Sequence, residues 1–402
     1  MATYMLRRFL QSIGFIAIAW LIVYSVVVLL IPNGPKQSYD RQIQAFREMS
    51  GLTDVSSPET DLLAQRYKVD KPWPLNFFYW LFDPDVRPVE GATGGPFGQP
   101  VEHKPVIVDI QIGGLTLHGA GILTGDFGQS VRVYRGRLVA DLVREAWLHT
   151  AILVGLSLVI AVALAVPVGI VGAVRQRSKL DHALTFFSFA GFSMPLFQIG
   201  LVLMIWLAVF PYFWHTRDGW TWMPYLPAIG VSDPDQYDNW INRIYHLILP
   251  TLTLALPQIV LLSRYIRSSL AEVLKQDYIR TARAKGLSTR RVVWKHGLRN
   301  ALIPLITVVG VMLPSLVSGA IIVETLFGYP GVGQMFYKGL GGCLPTLIAG
   351  DTCPEGGYPI DYPLALALTL IFVAIVAFSN LITDYLYTLA DPRISLTARQ
   401  QG

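Results

Sequence analysis

The chain has 402 residues, of which 52% are hydrophobic and only 15% charged, with a mean hydropathy of +0.45. Soluble domains carry roughly 25% charged residues, so this balance argues against a soluble domain and for a polytopic membrane protein. The net charge of +5 does not imply nucleic acid, because the cations cluster beside apolar segments.

A bilayer core asks for about 20 apolar residues per helix, and six segments meet or approach that. They are Phe9–Ile31, Trp147–Val174, Ala183–Trp214, about Tyr245–Ser263, Ala301–Val323 and Tyr362–Thr383. The first, 23 residues without a formal charge, is longer than a signal-peptide core of roughly 7–15 residues and reads as a retained span. Pro195 predicts a kink in the third, and Pro250 and Pro257 make the fourth the weakest.

Cations set the orientation. Arg7 and Arg8 precede the first span, and Arg175, Arg177 and Lys179 fill the link between the second and third. Ten Lys/Arg lie from Arg264 to Arg299 against only Glu272 and Asp277, while the loop before the sixth span has Lys338 alone. Every second loop is basic, so the positive-inside rule places both termini and the 264–300 loop in the cytoplasm.

The segment after the first span is then external. Leu62 to Phe82 is aromatic-rich, as for a helix lying at the membrane interface. Val106–Ile112 alternates, Gly113 and Gly114 turn, and Leu115–Leu117 return, which predicts a β-hairpin. The expected fold class is therefore an all-α polytopic membrane protein of six transmembrane helices, with a cytoplasmic coupling helix and a small external α+β insertion. The expected division is 1–35 for the N-terminus and first span, 36–146 for the external subdomain, 147–395 for the five-helix core containing loop 264–300, and 396–402 for the tail.

Within the basic loop, residues 277–286 read as a short helix ending at a glycine. Leu270, Val273 or Leu274, Tyr278 and Ala282 recur at steps of three and four, giving one apolar face. Gly286 can take the left-handed conformation that closes a helix, and Arg280, Arg283 and Lys285 load its C-terminal half. Ser288 or Thr289 can cap a second helix. Such an elbow suits the grip of another protein, and equally a basic loop anchored by lipid headgroups.

Cys343 and Cys353 share the external loop before the sixth span. A disulfide suits an oxidising compartment, free thiols a reduced one. No His lies in that loop to complete a metal site, and none is expected.

No phosphate-binding G-x-x-x-x-G-K-[ST], no H-E-x-x-H and no G-x-S-x-G occurs. Catalytic residues are not expected. The spans also lack mid-membrane acids of the kind that ion-coupled carriers need. A transporter without either must draw energy from elsewhere. The alternative is a self-sufficient secondary carrier or channel, which requires charges in the spans. Gln198, Gln258, Ser315 and Ser318 are polar at membrane depth, and such residues more often serve helix packing than substrate contact.

Tyr278 to Gly286, followed by His296-Gly297-Leu298-Arg299-Asn300-Ala301-Leu302-Ile303-Pro304, resembles the cytoplasmic signature loop of ABC importer permeases. The dipeptide/oligopeptide/nickel branch is the nearest. Leu6-Arg7-Arg8, Gly125 to Ser130, Val323 to Phe327, Pro330-Gly331-Val332-Gly333, Asp361-Tyr362-Pro363 and Asp391-Pro392-Arg393 match in order along residues 1–35 and 120–395. The start and the short tail resemble the B-type permease of the pair.

This resemblance implies a non-catalytic subunit in the bacterial inner membrane, forming half of a translocation path for peptides or a related small solute. The implied partners are a second homologous permease, two cytoplasmic ATPases and an extracellular or periplasmic substrate-binding protein. ATP and Mg would be used by the ATPases, and no cofactor is expected on this chain. Tyr278, Arg280, Thr281, Ala282, Arg283, Ala284 and Lys285 would contact the ATPase, with Gly286 making the turn. Glu324, Pro330, Gly331 and Gly333 would shape an outer gate near the binding-protein dock. Three features depart from the family: Arg280-Thr281-Ala282 stands where the general signature has Glu-Ala-Ala, the external segment around 36–120 is long, and the Cys343–Cys353 stretch is extra. The extra segments either adapt docking or are tolerated surface insertions.

Overall fold

The computed structural model describes residues 2–30, 108–112, 115–119, 137–217, 224–236, 239–343 and 361–390, with a few positions between 127 and 134. The chain divides into two compact units. One comprises Met1–Ile13, Ala146–Gln334 and Ile375–Gly402, the other Gly14–Glu145 and Met335–Ala374.

The helices are α1 (Ala2–Leu30), α2 (Val139–Val174), α3 (Lys179–Ser193) and α4 (Leu196–Arg217). They continue with α5 (Trp240–Val273), α6 (Asp277–Ala284), α7 (Thr289–Arg291), α8 (Leu298–Ala301), α9 (Ile303–Leu326), α10 (Val332–Gly339) and α11 (Tyr362–Ala390). At Pro195 the chain breaks rather than kinks. Its ψ of 146° takes the backbone out of the helix between α3 and α4, so the expected third span is a 15-residue helix followed by a separate span.

The first unit is organised around α5. Its 34 residues make it about 50 Å long at 1.5 Å per residue, against a hydrocarbon core of about 30 Å. It outruns the expected fourth span at both ends. Leu249 and Leu254 of α5 pack with Leu153 of α2, Ala208 of α4, and Leu316, Ala320 and Val323 of α9. Along the same helices, Ala255, Leu262 and Ile266 meet Ala161 and Ala165 of α2 and Met312 of α9. Small residues on α2 let it lie close to α5. Pro250 and Pro257 sit inside this helix, where packed neighbours hold a chain that propensity alone would break.

The all-α, multi-span part of the expected fold class stands. Among the described residues, five helices are long and apolar enough to cross a membrane: Val139–Val174, Leu196–Arg217, Trp240–Val273, Val308–Leu326 and Leu364–Tyr385. The expected α+β insertion needs correction: among the described residues between the first two expected spans no such subdomain is formed. The regular structure described there before Val139 is one antiparallel ribbon, Val108–Ile112 against Leu115–Gly119, with no helix beside it. Two strands without a third or a packed helix do not make a stable layer. The expected interfacial helix at 62–82 lies outside the described residues.

In the second unit, Asp361 starts α11. Its Oδ2 accepts from the Ser130 hydroxyl at 2.6 Å and the Val133 N–H at 3.0 Å. Its backbone N–H donates to the Gly339 carbonyl at 2.8 Å. Two of the short motifs read from the sequence, ending at Ser130 and beginning at Asp361, thus meet at one buried carboxylate. Cys343 is disulfide-bonded. Cys353 lies outside the described residues.

Candidate functional site

The elbow is built by α6, α7 and the helical turns that follow. Gln276 is extended (ψ 150°) and restarts the helix at Asp277. Ile279 and Ala282 are buried against Val292, with Leu274 and Leu287 around them. Gly286 has φ +76°. Its N–H donates to the Arg283 carbonyl at 2.9 Å, and the Leu287 N–H to the Ala282 carbonyl at 3.4 Å. Those two bonds, with Leu287 folded back beside Ala282, form a Schellman closure.

Tyr278 does not lie on the buried face. It is 43% exposed, and its hydroxyl accepts from Asn300 Nδ2 at 2.9 Å. Ala282 is 8% exposed and belongs to the chain's own core. The outward face carries Tyr278, Arg280, Thr281, Arg283, Ala284 and Lys285, all exposed. Arg280 sits 3.5 Å from Asp277 across two highly exposed side chains, a pair of little energetic weight. Ser288 stands at the start of α7 without a side-chain cap bond. Beyond α7 the chain is π-helical over Val292–Gly297, which leaves Trp294 54% exposed beside the cationic face.

The second arrangement lies at the far end of α9. Glu324 is fully buried. Its Oε1 accepts from the Thr150 hydroxyl at 2.7 Å, and its Oε2 from the N–H groups of Gly333 at 2.7 Å and Gln334 at 3.2 Å. The Thr150 hydroxyl oxygen in turn accepts from the Val332 N–H at 2.9 Å. The first three N–H groups of α10 are therefore capped by side chains from α9 and α2, not by a residue at the helix's own start. Gly331 occupies that start, and a Cβ there would overlap the Glu324 carboxylate. A Cβ on Gly333 would come 2.8 Å from Oε2. Tyr329 packs edge-on to His149 at 5.5 Å. Burial, and after it the Glu324 charge, pushes the Tyr329 hydroxyl up to about 12.

Glu324, Pro330, Gly331 and Gly333, read from sequence as one group, thus come together, and Thr150 joins them unforeseen. A threonine inside a long apolar run gives no sign of a partner 174 positions away. Of the polar mid-span residues, Gln198, Ser315 and Ser318 are exposed on this chain's surface, so they do not pack within it. The two serine hydroxyls donate to carbonyls of their own helix, at Met312 and Ser315.

The segment holding the elbow and the Glu324 cap also decides the family. Residues 165–396 match the family described as "Binding-protein-dependent transport system inner membrane component". The chain belongs to that family. It is a permease subunit of an ABC importer, a non-catalytic part of a translocation path in a multi-pass inner-membrane protein. The oligopeptide transport system permease protein AppB of Bacillus subtilis (strain 168) is 39% identical over 273 residues, covering 68% of this chain and 77% of its own. The dipeptide transport system permease protein DppB of Alkalihalophilus pseudofirmus is 33% identical over 300 residues, 69% of this chain and 80% of its own. A protein of Brucella suis biovar 1 (strain 1330), provisionally named a peptide permease, is 29% identical over 397 residues, 99% of this chain and 100% of its own. That alignment runs through the long external segment, so its length is not peculiar to this permease. A chain of the MetNI methionine ABC transporter in an inward-facing conformation superposes with a TM-score of 0.45 at 15% identity, over 62% of this chain and 97% of that one.

Proposed function

We propose that this chain is one of two permease halves in an ATP-driven importer of peptides, with both termini and the elbow in the cytoplasm. The second homologous permease, two cytoplasmic ATPases and an external substrate-binding protein complete the machine. The elbow carries this reading. A helix anchored on one side by Ile279 and Ala282 presents Arg280, Arg283 and Lys285 outward, on the continuation of a helix that runs through the membrane. The outward residues, with Tyr278, Thr281 and Ala284, form the contact with the ATPase. Gly286 and the buried Ala282 hold the shape of the contact. Glu324, Pro330, Gly331 and Gly333 hold α10 at the external mouth, where the binding protein docks. The peptide relatives named above support the substrate class.

The test is copurification of ATPase subunits with the intact chain and with Arg280→Glu and Arg283→Glu, at matched membrane levels. The intact chain is expected to recover ATPase and each reversal to lower recovery several-fold. Absence of ATPase from mild detergent, with the partner permease present, sinks the reading. Ala282→Glu is unsuited to this purpose, because it strikes the chain's own core.

A further inference from the structure

We infer that Asp181 and Arg267 are positioning residues of the transport cycle, forming a clamp that passes elbow movement to α2 and α3. The inference rests on the importer reading above. Asp181, in the first turn of α3, is 2% exposed. Arg267 Nε lies 2.8 Å from its Oδ1, and Arg267 Nη2 donates to its Oδ2 at 2.8 Å. The Nη2–Oδ2 contact is a charge-assisted hydrogen bond and the Nε–Oδ1 contact a close ionic approach without hydrogen-bond geometry, so one directional bond ties the guanidinium to the buried carboxylate. Oδ2 also accepts from the Arg177 N–H at 3.0 Å. Arg177 is held at φ +60°, a conformation a non-glycine residue rarely adopts. The Ser178 hydroxyl accepts from the Asp181 N–H at 3.2 Å and closes the start of α3. The carboxylate thus organises the whole turn between α2 and α3.

The arginine stem reaches a third element. A Cβ on Gly172 of α2 would lie 3.0 Å from Arg267 Cδ, so the stem lies directly across that helix. Three elements are therefore locked at one point. Arg267 stands less than two turns before α5 ends at Val273. From there the backbone bonds continue through Leu274, Lys275 and Gln276 to the elbow. Leu274 packs both with the buried face of α6 and with the cluster of Leu270, Val293 and Leu298. Displacement of the elbow must then act on α5 at Arg267. A hydrophobic contact there would hold the helices together but let them slide. The charged, directional Nη2–Oδ2 bond resists that sliding, which a coupling device requires.

The test uses the full importer complex in proteoliposomes, with the binding protein and a pool of radiolabelled tri- to pentapeptides. Uptake and ATP hydrolysis are measured together for the intact chain, Asp181→Asn and Arg267→Lys. Arg267→Lys keeps the charge and loses the guanidinium's directional hydrogen bond, so it decides the matter if Asp181→Asn does not assemble. Expected are ATP turnover within twofold of the intact complex and peptide taken up per ATP lowered at least fivefold. Loss of a merely stabilising contact would lower both rates with the amount of complex and leave their ratio unchanged. An unchanged ratio in Arg267→Lys overturns the inference. If the intact chain itself recovers no ATPase, the importer reading has failed instead.

Discussion

The cap on α10 makes a quantitative prediction. Glu324→Ala removes the acceptor of the Gly333 and Gln334 N–H groups and leaves the Thr150 hydroxyl proton without its partner, all in a buried site. Each buried polar group left unsatisfied costs about 1–3 kcal/mol. After partial relaxation the loss should be about 3–4 kcal/mol. At about 2–4 °C per kcal/mol for a unit of this size, the melting midpoint should fall by about 10 °C. Glu324→Gln should cost about 1 kcal/mol. Its carbonyl can take both backbone N–H groups, and its amide can donate to the second lone pair of the Thr150 oxygen. The threonine proton then turns to the carbonyl four residues back on its own helix. Gly331→Ala drives a Cβ into the same carboxylate, so its cost should approach that of Glu324→Ala. The double variant should lose clearly less than the sum, because both changes break one arrangement. Thermal unfolding of the purified permease in one detergent measures all four. Equal losses for Glu324→Gln and Glu324→Ala would refute the hydrogen-bond argument, since they would make the charge and not the N–H groups the reason for the glutamate.

Two further outcomes follow from local geometry. Gly286→Ala meets no neighbouring atom, so its cost is the left-handed backbone alone, about 1 kcal/mol. Gly286→Asn should cost less, and chemical denaturation followed at Trp294 reads both. Asp181 is held below the ordinary aspartate range, first by the hydrogen bond from Arg267 and then by the Arg177 N–H, against the opposing effect of burial. A carboxylate whose folded value is depressed stabilises above its unfolded value, and the stability is lost as pH falls through the folded value. The stability gap between the intact chain and Asp181→Asn should therefore hold steady from neutrality to about pH 4 and close below it. A gap that widens with acid would contradict that pairing.

Much of this was legible in the residues, for physical reasons that can be named. Gly286 after a run of cations announced a helix closure, and it adopts one. The inward face of the elbow was misjudged because the periodicity was carried unbroken from Leu270 to Ala282. The extended Gln276 resets the helical phase, so Ile279 turns inward and Tyr278 outward. The expected fourth span, about Tyr245–Ser263, is shorter than α5 because Arg243 and Arg264 bound its apolar run, whereas the helix continues past both. Glu324 was recognisable as a carboxylate at a helix end. Its partner Thr150 was not, and neither was the pairing of Asp181 with Arg267, 86 positions apart. Long-range polar pairs leave no trace in periodicity.

The buried acids follow one rule. Among the described residues they are Asp181, Glu324 and Asp361, and the carboxylate of each meets the start of a helix, Glu324 reaching α10 from the last turn of α9. Asp181 accepts the Arg177 N–H and faces Arg267 at the start of α3. Glu324 accepts two N–H groups from the first turn of α10. Asp361 accepts the Val133 N–H and the Leu364 N–H at the start of α11. Helix N-termini present unpaired N–H groups and the positive end of the helix dipole, so each carboxyl group is held by fixed donors. Carboxyl groups held in this way brace the ends of helices. Among the described residues, the three buried acids are thus used for shape.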